Sequence, residues 1–370
     1  MSGKNIRRVP FSPKSFDLDI TTRCNLRCVY CSHFDSAGDV DEDLPTEEWL
    51  SFFEELGRAA VLDVTLSGGE ATIRDDFQEL VNGIVRNRMR FSLLSNGTLI
   101  TDELAAFLVK TGRCNSVQVS IDGPSSEIHD KTRGKGSFEA AIEGLKCLKR
   151  HGISCTTRLT LTRYNYQYLE NAAELLLDEV GLPGFSTNAA SLFGMCQKNA
   201  DDVALRPKEY AEAMAIHLEL QKKYGDRIGA QAGPLASLKH WREMEEQLKA
   251  NAPAVASCGH LTSCGGVFSK MAVRADGVFV PCSQLSHIEL GRMNQDSLTE
   301  VWQQHPKMQR LRDRQQMSLG DFEFCRGCKY IPYCRGGCPA SAHSLTGDEN
   351  LPSPDSCYRR FLAAGGTLPK

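Results

Sequence analysis

The sequence predicts an α/β protein in which a β/α barrel is followed by a cysteine-rich C-terminal module. Two observations carry this prediction. Short apolar segments alternate with longer amphipathic ones in six units of about 30 residues, which is typical of parallel strands joined by helical crossovers. The 15 cysteines are distributed unevenly over the 370 residues, with three near the start and eight in the last third. Six units favour a partial or full barrel, and an open doubly wound sheet stays an alternative.

Each predicted element follows from its local pattern. The strands are expected at residues 16–21, 64–67, 91–95, 116–121, 155–162 and 184–189, and the helices at 46–60, 75–88, 102–111, 137–151 and 168–180. Thr101 precedes two acidic residues and is expected to cap the third helix. Residues 206–248 are predicted to form two polar helices, with Pro207 starting the first and Gly225 following it, in a solvated connector.

Composition sets the broad class of protein. The chain is 41% hydrophobic and 24% charged, with a formal net charge of −3. This balance excludes long disorder and gives no electrostatic case for a nucleic-acid or membrane partner. No stretch approaches the about 18 apolar residues of a membrane span, and the N-terminus lacks the apolar segment of a secretion signal. We therefore expect a cytoplasmic protein whose cysteines bind metal or clusters rather than form disulfides.

Polar turns follow the first four predicted strands. They are the first cysteine group, Ser-Gly-Gly-Glu at 67–70, Ser-Asn-Gly at 95–97 and Ser-Ile-Asp-Gly at 120–123. Any one of them is most simply a turn. Because the C-terminal ends of barrel strands meet at one rim, where barrel enzymes carry their chemistry, the four together predict a single site.

The first cysteine group has the spacing C-x3-C-x2-C, formed by Cys24, Cys28 and Cys31. Chance would produce this spacing roughly 0.025 times in a chain of this cysteine content. Three thiolates in a short loop can hold three irons of a [4Fe–4S] cluster. The remaining iron would keep an open position, as catalytic metal sites do. A structural zinc site is the alternative.

This motif, with Tyr30 before its last cysteine, resembles the radical S-adenosylmethionine (SAM) superfamily, and Gly68, Gly69 and Glu70 match that family's GGE motif. The resemblance implies that the three cysteines ligate a cluster whose fourth iron is chelated by SAM. Reductive cleavage of SAM would then give a 5′-deoxyadenosyl radical that abstracts a hydrogen atom, a reaction in which the cofactor supplies the chemistry and the protein orients it. The implied SAM contacts are Tyr30 near the adenine, the backbone of Gly68, Gly69 and Glu70 at the amine, Asn96 and Ser120 at the ribose and carboxylate, and Arg133 and Arg158 as candidate carboxylate partners, for which a surface ion pair is the alternative.

The C-terminal cysteines have a long and specific spacing, with a hairpin signal at 275–282 and a matching segment at 291–302, and resemble the SPASM domain. The resemblance implies two fully ligated auxiliary [4Fe–4S] clusters, suited to electron transfer or to bracing the fold. One would be held by Cys258, Cys264, Cys282 and Cys338, and the other by Cys325, Cys328, Cys334 and Cys357. A zinc ribbon is the alternative. The lone cysteines, Cys114, Cys147, Cys155 and Cys196, are expected to be ordinary core or surface residues.

The two resemblances imply an α/β fold in which a partial (β/α)6 TIM-like barrel is followed by a small cysteine-rich SPASM domain. The expected divisions are an N-terminal extension at 1–15, the radical SAM barrel at 16–205, a helical linker at 206–257, the SPASM domain at 258–361 and a tail at 362–370. Since only about 15 residues precede the first strand, we expect no fused leader-recognition domain. A separate partner or the barrel itself would recognise a peptide.

The expected function is that of a radical SAM maturase, an oxidoreductase that abstracts hydrogen from a ribosomally synthesised peptide. The product would be a cross-link, an epimer or a rearranged backbone, and flavodoxin or ferredoxin would donate electrons. One alternative is an enzyme acting on a small cofactor precursor of tetrapyrrole or quinone type. Another is a non-enzymatic iron–sulfur or zinc scaffold.

Sulfatase maturation is a further alternative that the sequence disfavours. Anaerobic sulfatase maturases resemble this architecture and carry a catalytic Asp directly after the cysteine equivalent to Cys282. Here Ser283 and then Gln284 follow that cysteine. His33, Asp35 and His287 are candidates for a general base by position alone.

Overall fold

A computed structural model of the chain describes residues 9–34, 42–262 and 264–369. Its strands are β1 (Ser15–Asp19), β2 (Asp63–Ser67), β3 (Arg90–Ser95), β4 (Cys114–Ser120), β5 (Cys155–Leu161), β6 (Phe185–Ala189), β7 (Ile228–Ala230), β8 (Lys270–Val273), β9 (Val278–Val280) and β10 (Gly291–Arg292). They form one sheet in the order β10-β9-β8-β1-β2-β3-β4-β5-β6-β7. From β1 to β7 each strand pairs in parallel with the next.

Helices connect these strands and cover one face of the sheet. They are α1 (Thr46–Arg58), α2 (Phe77–Arg86), α3 (Asp102–Lys110), α4 (Ser126–Arg133), α5 (Ser137–Arg150), α6 (Leu169–Ala173), α7 (Gly194–Lys198), α8 (Ala200–Val203), α9 (Pro207–Tyr224), α10 (Gly233–Lys249), α11 (Gly266–Ser269), α12 (Leu298–Gln304), α13 (Pro306–Asp313), α14 (Pro339–Thr346) and α15 (Tyr358–Ala363). Within the described residues, no helix is both long enough and apolar enough to span a bilayer.

The predicted α/β fold with a partial barrel is confirmed. All six predicted strands are present, and their boundaries move by at most two residues. The hydroxyl of Thr101 accepts a hydrogen bond from the Leu104 amide at 3.2 Å and caps α3, as expected. The fifth predicted helix begins as α6 and continues as the π-helical turn Glu174–Glu179.

The expected solvated connector at 206–248 is wrong. Between its two helices lies β7, which pairs with β6 and adds a seventh parallel strand. Ile228 is fully buried in the main core, together with Leu220 of α9 and Leu235 of α10. A strand of three residues is too short to show an alternating pattern, so the sequence did not reveal it.

The strands divide their side chains between two environments. Alternate apolar residues such as Phe16 and Leu18 are fully buried under the helices, and the Phe16 ring lies 5.9 Å from that of Phe52 in α1. The other side, called the inner face here, is lined by polar side chains that form hydrogen bonds across the strands, such as Ser67 to Asp19 at 2.6 Å. The inner face consists of Asp17, Asp19, Thr65, Ser67, Ser92, Leu94, Ser116, Gln118, Ser120, Thr156, Arg158, Thr160, Ser186 and Asn188.

The C-terminal module extends the barrel sheet. Strand β8 pairs in parallel with β1, and β8 and β9 form the predicted hairpin, with Gly277 at φ +85° in its turn. The ammonium of Lys270 lies 2.9 Å from the Asp17 carboxylate of the inner face. The hairpin therefore fixes Cys282, which follows β9, at the β1 edge of the barrel sheet.

Candidate cluster and cofactor site

The first cysteine group lies on the loop that leaves the C-terminal end of β1. Burial raises the pKa of all three thiols, and that of Cys28 rises to about 12. Two of the sulfurs also accept hydrogen bonds. The Leu26 amide donates to Cys24 Sγ at 3.4 Å, and the Arg133 guanidinium donates to Cys28 Sγ at 4.0 Å. Partly buried thiols next to N–H donors suit a metal cluster. The metal displaces the thiol protons, and the N–H donors stabilise the negative charge on sulfur.

The Gly68–Gly69 turn packs directly against the backbone that leads into this loop. The amides of Gly69 and Glu70 donate to the carbonyl oxygens of Thr21 and Arg23 at 2.9 and 2.8 Å. A Cβ on Gly68 would lie 2.2 Å from the Thr21 oxygen, and one on Gly69 the same distance from the Arg23 oxygen. Only glycine fits so close an approach, so the turn fixes the position of the cysteine loop.

The buried carboxylate of Glu70 holds the neighbouring residues in place by accepting several hydrogen bonds. Its donors are the Thr72 hydroxyl at 2.6 Å, the Ser95 hydroxyl at 2.9 Å and the Asn96 amide at 2.7 Å. Burial raises the pKa of Glu70, and these hydrogen bonds work in the opposite direction. The Asn96 side chain is thereby held above the loop, where its Nδ2 donates to Asn25 at 2.8 Å.

Asp122 organises the residues on the other side of the loop. Its carboxylate is fully buried and accepts from Arg133 Nε at 2.5 Å, from the Thr160 amide at 2.8 Å and from the Tyr30 hydroxyl. The Arg133 guanidinium lies 5.5 Å from the centre of the Tyr30 ring. Sequence reasoning gave Asp122 no role of its own. Arg133 is not in the surface ion pair that was its alternative, since it is only 8% exposed.

Ser120 and Arg158 sit side by side on β4 and β5 of the inner face. The Nε of Arg158 donates to the Gln118 side chain at 3.1 Å, and burial lowers the pKa of Arg158. The structure therefore brings the predicted SAM contacts to one rim, as expected for strand ends of a barrel.

The C-terminal cysteines form two neighbouring groups. One small, mostly apolar cavity is lined by Cys325, Cys328, Cys334 and Cys357. In the other group, the thiols of Cys264 and Cys338 contribute to the raised pKa of Cys282, for which burial is the main cause.

Cys258 lies on a loop between the two groups. The Gly259 amide donates to the Cys334 carbonyl at 2.9 Å, and the Thr262 amide to the Arg335 carbonyl at 2.8 Å. This arrangement fits two clusters whose ligands interleave along the chain.

Comparison with known proteins agrees with this geometry. The model of the radical SAM superfamily matches residues 18–176, and that of the iron–sulfur cluster-binding SPASM domain matches residues 264–329. The chain belongs to the radical SAM superfamily and carries a SPASM domain. It is an enzyme of this superfamily, whose cofactors are SAM with a [4Fe–4S] cluster and further iron–sulfur clusters in the SPASM domain.

Relatives of this radical SAM enzyme fall into two groups by name. It is 27% identical to the AdoMet-dependent heme synthase of Methanosarcina barkeri, over 94% of this chain and 97% of that protein. It is 29% identical to the mycofactocin maturase MftC of Mycobacterium ulcerans, over 89% of this chain and 84% of that protein. The solved structure of SuiB from Streptococcus suis bound to its precursor peptide SuiA has a similar fold, with a TM-score of 0.70 and 16% identity, over 95% of this chain and 77% of that one.

The two described candidates for a general base have different neighbours in this radical SAM enzyme. His33 Nδ1 is 3.9 Å from the Asp19 carboxylate, whereas the His287 ring stacks on His343 at 3.5 Å. Asp35 lies outside the described residues. The Gln284 side chain, which follows Cys282, donates to the Ser32 hydroxyl at 3.3 Å and so joins the SPASM domain to the first cysteine loop.

The lone cysteines lie among ordinary core and surface neighbours. Cys155 and Cys196 are buried and Cys114 is half-buried. Cys147 is also buried, and its thiol donates to the Asp102 carboxylate at 3.4 Å, which His151 also contacts at 2.9 Å.

Proposed function

We propose that this enzyme is a maturase that abstracts a hydrogen atom from a ribosomally synthesised peptide. The observation that carries the proposal is the polar inner face of the barrel beside the cysteine loop. Most of its side chains are hydroxyls or amides, and its charges are mixed, with Asp17 and Asp19 on β1 and Arg158 on β5. Such a surface can pair with the N–H and C=O groups that a peptide backbone must satisfy when it enters a closed site.

The same face suits a carboxylate-rich macrocycle less well. A tetrapyrrole presents a flat apolar ring edged by carboxylates, which call for apolar walls and several cations. Leu94 is the one aliphatic side chain in the inner face as defined here. Lys270, on the neighbouring strand β8, is already paired with Asp17. The relative named a maturase, MftC, supports the same choice.

The proposed residue roles are those expected from the family resemblance. When bound, SAM and its cluster supply the 5′-deoxyadenosyl radical. The protein orients SAM, excludes water and presents the peptide. The proposed ligands of this cluster are Cys24, Cys28 and Cys31, and the proposed SAM contacts are Tyr30, the Gly68–Glu70 backbone, Asn96, Ser120, Arg133 and Arg158. The proposed auxiliary ligands are Cys258, Cys264, Cys282 and Cys338 for one cluster, and Cys325, Cys328, Cys334 and Cys357 for the other.

The experiment combines reconstituted enzyme, SAM, dithionite and the small peptide encoded beside its gene. We expect 5′-deoxyadenosine together with a changed peptide mass, or deuterium uptake in deuterium oxide if the reaction is an epimerisation. A Cys28→Ala variant is the control, because it removes one proposed ligand and should produce neither. Normal 5′-deoxyadenosine formation with an unchanged, undeuterated peptide would contradict the proposal.

Two partners belong to this proposal. An electron donor such as flavodoxin or ferredoxin would replace dithionite, and a separate protein would bind the leader part of the peptide. Adding each to the assay should raise the rate of peptide modification. If a candidate leader-binding protein did not raise this rate, the barrel itself would have to recognise the peptide.

A second candidate is an enzyme that acts on a tetrapyrrole precursor. It is favoured by the relative named a heme synthase, whose match covers nearly the whole of both chains. The two candidates are separated by offering an iron-bound tetrapyrrole carboxylate in parallel with the peptide. Loss of carboxylate mass from the tetrapyrrole, with the peptide untouched, would select this second function.

A further inference from the structure

A buried arginine lies beside one of the two cysteine groups of the SPASM domain. Arg314 follows α13 and is completely buried. Its Nε donates to the Thr262 carbonyl at 3.0 Å, two residues before Cys264. Its Nη1 and Nη2 are buried as well, and they have no hydrogen-bond partner among the residues that the structure describes.

The surroundings of this guanidinium suit an anionic partner. Burial lowers the pKa of Arg314 to about 10, and the groups acting in the opposite direction are Cys338, Glu349, Asp348 and Cys264. Burying an arginine charge with two unpaired nitrogens costs several kcal/mol unless an anion or acceptor compensates it. The thiols of Cys264 and Cys338 are two of the proposed ligands of one cluster, which would be negatively charged when bound.

We propose that Arg314 donates hydrogen bonds from both Nη atoms to the cluster held by Cys258, Cys264, Cys282 and Cys338, and thereby raises the reduction potential of this cluster above that of the other auxiliary cluster. This inference rests on the proposed ligand sets. Hydrogen bonds to cluster sulfur and a nearby cation stabilise the added electron of the reduced state. Arg314 is thus a positioning residue that acts through the cluster.

The second cysteine group has an arginine of a different kind. Arg359 lines its cavity, but the Arg359 Nη atoms donate to the backbone carbonyls of Phe324 and Arg326. Each Nη of Arg359 therefore already has a backbone acceptor, which the Nη atoms of Arg314 lack among the described residues. Each proposed ligand set has one buried thiol, Cys258 in the first and Cys325 in the second. Only the first set also has exposed thiols, Cys264 and Cys338, and exposure to solvent raises cluster potentials.

The test is a redox titration of the fully reconstituted enzyme, followed by electron paramagnetic resonance. A Cys282→Ala variant first identifies the signal of the affected cluster. Arg314→Met should then shift this signal to a lower potential and leave the other two clusters in place. Arg314→Lys, which keeps the charge but loses the fork of donors, should give a smaller shift. Arg312→Lys is the matched control, since Arg312 is also buried but lies over the Trp302 ring at 4.4 Å.

The outcomes separate this inference from the ligand assignment on which it rests. If Cys282→Ala keeps full iron and every signal, the assignment fails, and the inference fails with it. An unchanged potential in iron-replete Arg314→Met, or a shift in Arg312→Lys as large as that in Arg314→Lys, overturns the role of Arg314 alone. If Arg314→Met cannot hold the cluster, the potential of Arg314→Lys decides in the same way.

Discussion

At the level of single residues, two buried carboxylates, Glu70 and Asp122, hold together the rim of the barrel that carries the proposed SAM contacts. Each is almost inaccessible to water, and each is compensated by several donors drawn from different strands and loops. Glu70 fixes the turn that carries Asn96, and Asp122 fixes Tyr30 and Arg133. The residues expected to contact SAM therefore depend on two side-chain carboxylates that act by holding their neighbours, whereas SAM is expected to meet only the backbone of Glu70.

The Asp122→Asn substitution tests this dependence. It removes the charge opposite the buried Arg133, and breaking one side of a buried ion pair costs about 3–5 kcal/mol. We expect the melting temperature of the reconstituted enzyme to fall by several degrees, together with weaker SAM binding. Asp102→Asn is the control, because the Asp102 carboxylate is 67% exposed and water screens its pairs with Arg150 and His151. Equal melting temperatures for the two variants would count against a structural role of Asp122.

The close approach at Gly69 gives a second residue-level prediction. In Gly69→Ala the new Cβ would meet the Arg23 carbonyl, so the turn or the cysteine loop must move, at a cost of about 1–3 kcal/mol. We expect less iron in the first cluster and less 5′-deoxyadenosine. Gly229→Ala is the matched control, since nothing lies within 4 Å of its Cβ position. Normal iron content in Gly69→Ala would show that the loop can shift freely.

At the level of elements, the segment 206–248 contains a strand, β7, that the sequence did not predict. The six longer strands and their helices could be predicted because each carries an alternating or helical pattern over at least four residues. Strand β7 has only Ile228, Gly229 and Ala230, and its place is set by pairing with β6. Asp122 and the side-chain contacts of Glu70 were missed for a similar reason, since the GGE motif gave Glu70 only a backbone role and the carboxylates of both residues accept hydrogen bonds from other strands and loops.

The Ile228→Ala substitution measures how firmly β7 belongs to the barrel. Ile228 is fully buried, and truncating such a side chain costs about 2–5 kcal/mol. We expect a clear decrease in unfolding temperature. Leu62→Ala is the comparison, because that leucine is 60% exposed and should change stability little. If both variants unfolded at the same temperature, the segment 206–248 would be the solvated connector that the sequence suggested.

Across the whole molecule, the two parts of the chain are held together by different means. The barrel has a continuous apolar core under its parallel strands. Beyond strands β8–β10 and helices α12–α13, residues 319–357 form mostly short turns and the helix α14. Their apolar packing consists mainly of a small core around Leu261 and Leu319, which contains Cys325, and of Tyr330 and Tyr333, which join a cluster around Trp241 of α10. A region with so little regular structure needs cross-links, which metal–thiolate bonds can supply.

Removing the iron should therefore loosen one part of the molecule selectively. After chelation under reducing conditions, we expect amide hydrogen exchange to speed up strongly in residues 319–357 and around Cys258. Protection in β2–β5 should persist, because those strands pair with one another and bury their apolar residues independently of any thiol. The measurement is exchange mass spectrometry on holo and chelated enzyme, with the β3 and β4 peptides as internal controls. Uniform protection after complete iron loss would mean that packing alone holds the cysteine-rich region, and that its clusters serve electron transfer without bracing the fold.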